Sequence, residues 1–331
     1  MRRHTCLASL LSCALGLGGC GGGSSGGSGT GNEGGNEGGS ASLFAIDPAS
    51  ITPTAATTDK PFQVGNVLEF YAYGSTCRST APAQAVLVTD NTVTYSDGTA
   101  TSDHMRRTAQ VAEASVRTLR DKFGISAPGN IGFDGQKVRV CASISGSSTQ
   151  TNGSAGIRTL HLGTPEGYSG LGTLAFHETT HMVQAQALNC QTEQYGWERW
   201  LTEGMALRVA GQDQPGQGDL ITLQTTFNGI DGNLPFGDMN QRMFPRNDRY
   251  PAYRLAVDTV LGETGKTELD LYRFMKKVGE TTGCPGSGVN YVLGASIVGW
   301  KAAFDTSFGT DLRGSGVAGS GFWPLAKKYV K

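Results

Sequence analysis

After its first twenty residues, the chain contains no apolar run long enough to cross a membrane as a helix, which needs about 20 such residues. Neither sign of charge is in excess, because 27 lysines and arginines stand against 28 aspartates and glutamates, for a net charge of −1. The basic residues form no stripe of the kind that follows a phosphate backbone, so nucleic acid is not an expected partner. A C-x-x-C pair is also missing, which argues against a zinc site built from cysteines.

The N-terminus has the pattern of a targeting segment. Arg2 and Arg3 supply a basic start, an apolar stretch runs from Cys6 to Leu17, and Leu17-Gly18-Gly19-Cys20 fits the lipobox at which lipoprotein signal peptidase cleaves. The pattern predicts a signal peptide over residues 1–19 and a lipid on Cys20. An ordinary secretory signal cleaved nearby is the alternative, and both interpretations export the protein.

Residues 20–42 are predicted to form a lipidated cysteine followed by a flexible tether. Gly, Ser, Asn and Glu make up almost all of it, and a chain of this composition cannot bury apolar surface; its reach is on the order of 25 Å for twenty residues. By resemblance to Gram-negative lipoproteins, Asp after the lipidated cysteine would retain the protein at the inner membrane, but this chain has Gly21. We therefore expect an exported bacterial lipoprotein anchored to the outer membrane, on its periplasmic or cell-surface face.

Four cysteines follow Cys20, and an even number in an exported chain predicts two disulfides. Three pairings are possible among them. The pairing of Cys77 with Cys141 and of Cys190 with Cys284 is favoured, because it keeps each bridge within one lobe.

The strongest candidates for functional residues lie in the H-E-x-x-H motif His177-Glu178-Thr179-Thr180-His181 and at Glu203 downstream. At 3.6 residues per turn, the two histidines lie on one helix face and can converge on a metal ion, while Glu178 can reach water at that ion. A helix face with two solvated histidines is the alternative. The surrounding apolar residues argue against it, because they recur at helical spacing and so turn this face toward a core or cleft: Leu171, Leu174, Met182, Ala185 and Leu188.

With Trp200-Leu201-Thr202-Glu203-Gly204-Met205-Ala206, this motif resembles the gluzincin metallopeptidases, most closely their collagenase-like and aminopeptidase-like branches. The resemblance covers roughly residues 85 to 315, but its identity lies in these two short segments. The metzincin pattern is excluded, since Gln184 and Ala187 stand where it requires Gly and His. Leu207 is a departure, because many gluzincins have an acid there that holds a zinc histidine. The residue that fixes the imidazole must therefore come from elsewhere.

The expected fold is α+β and zincin-like, with an upper lobe of mixed sheet and helices and a lower lobe that is mostly helical. Residues 43–100 are predicted to be a strand-rich segment, which an irregular Pro- and Thr-rich stretch begins, and residues 101–331 the gluzincin-like catalytic domain. By the resemblance, the strand before the metal helix, 156–162, forms the cleft edge and carries His161.

Predicted strands lie at 67–73, 85–88, 92–95, 137–143 and 156–162. Predicted helices lie at 102–123 (capped by Ser102 or Asp103 and closed by Gly124), 171–188, 197–210, 252–261, 268–278 and 291–304.

The predicted activity is zinc-dependent hydrolysis of peptide bonds. His177, His181 and Glu203 are the expected ligands of one zinc ion, and Glu178 is the expected general base for water that the ion activates. The resemblance implies a Tyr or His oxyanion donor well after the third ligand. Tyr253 is the first choice and Tyr250 the second, although a core or surface tyrosine explains either one equally well.

An endopeptidase acting as a monomer on a peptide or protein substrate is the favoured interpretation. An aminopeptidase would need an acid that binds the free amine of the substrate, and Gly170-Leu171-Gly172-Thr173 contains none. A non-catalytic surface lipoprotein, with a gluzincin-like fold that binds peptide or glycan, is the alternative. A non-catalytic protein could have lost a metal ligand or the general base, but this chain retains all of these residues.

Cys20→Ser should release the protein from the membrane fraction, because the predicted anchor is attached at this cysteine. Cell fractionation and mass spectrometry of the mature N-terminus measure the outcome. A soluble wild-type protein whose mature terminus is not Cys20 would leave only a secreted protein.

Overall fold

The computed structural model of the chain describes residues 43–58, 77, 84–96, 98–125, 137–144, 150–154, 157–162, 168–188, 199–226, 250–282, 302–309 and 325–331. Within these ranges the chain is mixed α+β, as predicted. The strands are β1 (Thr54–Thr58), β2 (Gln84–Val88), β3 (Thr92–Ser96), β4 (Val138–Ala142), β5 (Gln150–Ser154) and β6 (Ile157–Leu162). The α-helices are α1 (Ser102–Phe123), α2 (Tyr168–Leu188), α3 (Arg199–Val209), α4 (Gln217–Thr226), α5 (Tyr250–Thr264), α6 (Glu268–Thr282) and α7 (302–308). Short 3-10 helices span Pro48–Ser50 and Lys327–Tyr329.

The strands form one sheet in the order β1-β2-β3-β4-β6-β5. β3, β4 and β6 run parallel to one another, while β2 and β5 pair antiparallel with the outer two of them, and β1 continues the sheet beyond β2. β1, β2 and β3 therefore belong to the same sheet as the strands that lead into α2.

Among the described strands, β5 and not β6 ends the sheet on this side, so the prediction that the strand before the metal helix forms the edge is wrong. The sequence predicted no strand between 137–143 and 156–162, but Gln150–Ser154 pairs antiparallel with β6. The backbone of His161 consequently lies between two strands, opposite Cys141 on one side and Gln150 on the other. The hairpin forms because pairing satisfies the outward N–H and C=O groups of β6.

The ends of α1 follow ordinary capping chemistry. The Thr101 hydroxyl accepts a hydrogen bond from the His104 N–H at 3.1 Å, so Thr101 is the N-cap, rather than Ser102 or Asp103 as predicted. Gly124 adopts the left-handed conformation at the C-terminus, with φ of 65°, as predicted.

The segment after the predicted tether packs directly on the helices. Phe44 contacts Phe176 edge-on, with ring centroids 4.9 Å apart, and the Ala45 N–H donates to the Thr118 hydroxyl at 3.0 Å. The expectation of a wholly irregular stretch is wrong, because Thr54–Thr58 forms β1. The sequence does not predict this strand, because four of its five side chains are exposed. The strand therefore lacks the alternation of apolar and polar residues that is typical of half-buried strands.

Other predictions have mixed outcomes. The helices expected at 252–261 and 268–278 are confirmed within α5 and α6, but α4 forms at Gln217–Thr226, where the sequence predicted no helix. Leu220 in α4 is buried in the core, which stabilises a helix that has little periodicity of its own. The targeting segment, the tether, the strand expected at 67–73 and most of the helix expected at 291–304 lie outside the described residues.

A disulfide joins Cys77 to Cys141 in β4, with Cα atoms 5.8 Å apart, and confirms the first predicted pairing. Cys190 and Cys284 lie outside the described residues. Among the helices that the structure describes, none is both long and apolar enough to cross a membrane.

α2 lies at the centre of the main hydrophobic core, which also takes side chains from α1, α3, α5 and α6. Its polar residues are buried together with its apolar ones, because helices pack around it on several sides. Burying a polar group costs free energy unless that group finds a partner. The polar residues in the middle of α2 must therefore bind to one another, to neighbouring helices or to a ligand.

Glu113 of α1 holds the turn between β2 and β3 against the helix. Its carboxylate is fully buried and accepts hydrogen bonds from the Thr89 hydroxyl at 2.7 Å, from the Asn91 backbone and side chain at 2.9 and 2.7 Å, and from Arg117 at 2.7 Å. Burial alone would raise the pKa of Glu113, but these hydrogen bonds outweigh it, so the pKa lies below its ordinary value.

Glu113→Gln should lower the free energy of unfolding at pH 7 by about 1–3 kcal/mol, because an amide nitrogen cannot accept from Thr89 or Asn91. Because the pKa of Glu113 is lower in the folded than in the unfolded chain, its ionised form stabilises the fold at pH values above the unfolded pKa of about 4.3. This stability is lost as the pH falls through the pKa of the folded chain. The deficit should therefore shrink in acid. Urea unfolding at pH 7 and about pH 3 measures it, with exposed Glu280→Gln as the control. An equal deficit at both pH values would contradict the assignment.

Candidate metal centre

His177 and His181 lie one turn apart on α2 and face the same point. Their Nε2 atoms are 3.1 Å apart and their ring centroids 4.8 Å apart, and each residue is only 7% exposed. The alternative of a helix face with two solvated histidines is thereby excluded.

Glu203 of α3 completes the group. Its Oε2 atom lies 3.3 Å from the Nε2 of His177 and 3.4 Å from the Nε2 of His181, and the residue is 5% exposed. Within the described part of the chain, these three residues form a group of His, Cys, Asp or Glu side chains that could hold a metal ion. The expectation that the three side chains converge is confirmed.

Gly204 explains how α3 brings Glu203 so close to α2. A Cβ atom at this position would lie 2.7 Å from the Cγ2 of Val257 and would collide with the backbone carbonyl of Tyr253, both in α5. Only glycine allows the backbones of α3 and α5 to approach in this way. Trp200, one turn earlier, is fully buried and meets Phe304 edge-on at 6.2 Å, which fixes the rotation of α3.

Each imidazole has a glutamine on its outer nitrogen. The Nδ1 of His177 lies 2.8 Å from the Oε1 of Gln212, and the Nδ1 of His181 lies 2.9 Å from the Oε1 of Gln184. The Nε2 of Gln184 donates to the Thr202 carbonyl at 2.8 Å, so the oxygen end of its amide must face the histidine. The partners of the imidazoles therefore lie elsewhere than at position 207, as expected, and Leu207 itself is buried in the core.

The end of α3 delivers Gln212 to the site. Gly211 is left-handed, with φ of 69°; its N–H bonds the Arg208 carbonyl at 3.1 Å, and the Gln212 N–H bonds the Leu207 carbonyl at 2.8 Å. These two bonds make a Schellman motif, which turns the chain back across the helix end. Sequence reasoning could have found Gln184, at helical spacing from His181, but Gln212 is remote from His177 in sequence and becomes its neighbour only through this turn.

Hydrogen bonding indicates which imidazole nitrogens face a ligand. The amide oxygens can only accept, so both Nδ1 atoms donate, and in neutral imidazoles both Nε2 atoms then present lone pairs. Two nitrogen lone pairs and a carboxylate oxygen thus face one another within 3.4 Å in a buried site. Such acceptors repel unless a cation lies between them, so the residues fit a metal ion.

The remaining predicted site residues lie around this centre. Glu178 is 4% exposed beside His177 on α2. The ring of Tyr250, at the start of α5, lies 6.4 Å edge-on from the ring of His177. The ring of Tyr253, which is 2% exposed, lies 6.0 Å from that of Tyr250.

A chain of charged residues supports Gln212 from behind. Buried Arg254 donates through Nη1 to the Gln212 carbonyl, and its Nε lies 3.5 Å from the Asp258 carboxylate. Arg208 forms an ion pair with Asp258 and donates to Glu268 at 2.6 Å. Burial lowers the pKa of the Arg254 guanidinium. The network therefore extends from the α6 surface to the backbone beside the candidate centre.

Comparison with protein-family models, with curated proteins and with solved structures found no match to this chain.

His177→Ala, His181→Ala and Glu203→Ala should each abolish the stoichiometric binding of one divalent transition-metal ion, because each removes one of three ligands. Elemental analysis of purified protein gives the ion content. Buried His104→Ala on α1 is the matched control and should keep the ion. Full retention by Glu203→Ala would remove it from the ligand set.

Proposed function

We propose that this chain is a zinc-dependent metallopeptidase with a zincin-like fold, of the gluzincin type that its motifs resemble. His177, His181 and Glu203 are the zinc ligands, and Glu178 is the general base. The convergence of these three buried ligand atoms within 3.4 Å is the observation that carries the proposal.

The ligand set favours zinc over the other common divalent ions. Calcium and magnesium prefer oxygen ligands, whereas two imidazoles and one carboxylate suit zinc. In a tetrahedral zinc site the ligand atoms stand roughly 3.3–3.5 Å from one another, and the three separations here are 3.1, 3.3 and 3.4 Å. Three protein ligands leave a fourth position for substrate chemistry, as in catalytic zinc sites.

Glu178 can perform both proton transfers of peptide hydrolysis. When bound, zinc supplies a Lewis acid that polarises the scissile carbonyl and makes nearby water more acidic. The Glu178 carboxylate takes a proton from the attacking water as the water oxygen bonds to the carbonyl carbon. The same proton then goes to the amine nitrogen as the C–N bond breaks, so the carboxylate is regenerated. Its burial keeps bulk water from competing for that proton.

Tyr250 is the better oxyanion donor of the two tyrosines. Its ring meets that of His177 edge-on at 6.4 Å, and the ring of Tyr253 lies 6.0 Å from that of Tyr250. A phenol hydroxyl beside the site can donate to the negative oxygen that develops on the carbonyl. We therefore reverse the order of preference that the sequence suggested.

β5 offers a surface for an extended peptide. It is the last of the described strands at this end of the sheet and packs near α2, and among those strands it pairs with β6 alone. An extended substrate can add to such an edge through backbone hydrogen bonds, which do not depend on its side chains. This geometry supports an endopeptidase that acts on unstructured segments, and a lipid at Cys20 would hold it at a membrane.

Glu178→Gln should retain zinc but lose hydrolysis of casein or of a quenched peptide library by 10²–10⁴-fold, since an amide cannot accept the proton of water. Glu178→Asp should lose less, because the base survives at a longer distance. Rates are measured on the soluble domain from about residue 41, with and without a chelator, and zinc content is measured in parallel.

Chelator-insensitive cleavage, or equal rates in wild type and Glu178→Gln, would refute the mechanism. Zinc binding without cleavage of any peptide would favour a non-catalytic binding protein.

A further inference from the structure

Uncharged carboxamides, and not carboxylates, hold both histidines of the metal centre. Gln212 and Gln184 accept from the Nδ1 atoms at 2.8 and 2.9 Å. A carboxylate in this position orients the ring equally well, but it also raises the basicity of the ligand and adds a negative charge near the ion. A carboxamide supplies the orientation without the charge.

The two glutamines also connect α2 with α3 in both directions. Gln184 of α2 reaches the carbonyl of Thr202, the residue before Glu203. Gln212, in the turn that ends α3, reaches back to His177 on α2. A shift of α3 would therefore move a ligand and also the residue that orients a ligand on the other helix.

Arg254 holds the turn that carries Gln212. Its Nη1 donates to the Gln212 carbonyl, while its Nε faces Asp258, whose carboxylate also binds Arg208. The planar guanidinium can make both contacts from one fixed position, which a lysine cannot.

We propose that Gln212 and Gln184 are the positioning residues of this metal centre, and that Arg254 acts through Gln212. They hold both imidazoles in the tautomer whose Nε2 atom can bind the ion. Because the two glutamines are neutral, the bound ion is held less tightly and is more electropositive than it would be with carboxylates in their place. This inference rests on the proposed zinc site.

The test compares the zinc dissociation constants of three variants with that of wild type, by competition with a chromogenic chelator. Gln212→Ala should weaken zinc binding about 10–100-fold, the usual effect of losing such a partner. Gln212→Glu should bind at least as tightly as wild type, because the carboxylate still accepts from Nδ1 and adds charge. Gln110→Ala, which removes a buried glutamine on α1 that donates to Ile51, should leave the affinity unchanged.

The glutamate variant distinguishes orientation from mere packing. If Gln212 only fills space or stabilises the fold, Gln212→Glu should be no better than Gln212→Ala, and that result would overturn the proposal. Gln184→Glu is not an equivalent variant, because a carboxylate cannot donate to the Thr202 carbonyl. Gln184→Ala should weaken zinc binding as Gln212→Ala does, and an unchanged affinity would overturn its assigned role.

A double-mutant cycle tests Arg254. Arg254→Lys should weaken zinc binding in the wild-type background and have no further effect in Gln212→Ala, because residues that act in series are not additive. An equal loss in both backgrounds would overturn the role of Arg254.

The possible failures can be told apart. A wild-type chain that binds no zinc would overturn this inference and the proposed function together. Zinc binding that Gln212→Ala leaves unchanged would overturn only the inference. Tight zinc binding without peptide cleavage would refute the peptidase and leave the inference to be judged on the affinities.

Discussion

The helices are arranged around one constraint. Three hydrogen-bond acceptors face one another across 3.1–3.4 Å in a site almost closed to solvent. The repulsion between their lone pairs must be offset by a cation or by surroundings rigid enough to hold them together. The surroundings are rigid here because α2 is packed on several sides. Each imidazole is held from outside by a glutamine, and those glutamines are held in turn by the Thr202 carbonyl and by Arg254.

The packing of α3 carries the other half of this constraint. Glu203 reaches the histidines only because Gly204 lets α3 approach the α5 backbone and because Trp200 fixes the rotation of the helix. The Schellman motif at the end of α3 then returns Gln212 to the same site. One short helix and the turn that ends it thereby contribute a candidate ligand, a close contact and the glutamine beside His177. Small changes in its packing would affect all three.

The N-terminal segment is also coupled to this centre. Phe44 lies against Phe176, the residue before the first histidine, only a few positions after the predicted tether ends. The described part of the chain therefore begins against α2.

Some features could be predicted from sequence because they depend on neighbours along the chain. Helical periodicity identified α1, α2, α5 and α6, and the one-turn spacing of His177 and His181 placed two ligands on one face. Features that depend on distant partners were missed. β1 has exposed side chains on both faces, and β5 is stabilised by its pairing with β6. Neither strand therefore shows the alternation of apolar and polar residues that predicts a strand. α4 is stabilised by a buried leucine rather than by its pattern.

The same division runs through the candidate centre. By itself the sequence determined which residues could bind a metal and which carboxylate could serve as a base, because H-E-x-x-H acts within a single helix. Only the tertiary structure decided that Glu203 meets the histidines, that the ring of Tyr250 lies beside that of His177, and that Gln184 and Gln212 contact the outer nitrogens of the rings. The physical reason is that a helix fixes the distances between its own residues, whereas the distance between two helices is set by the side chains packed between them.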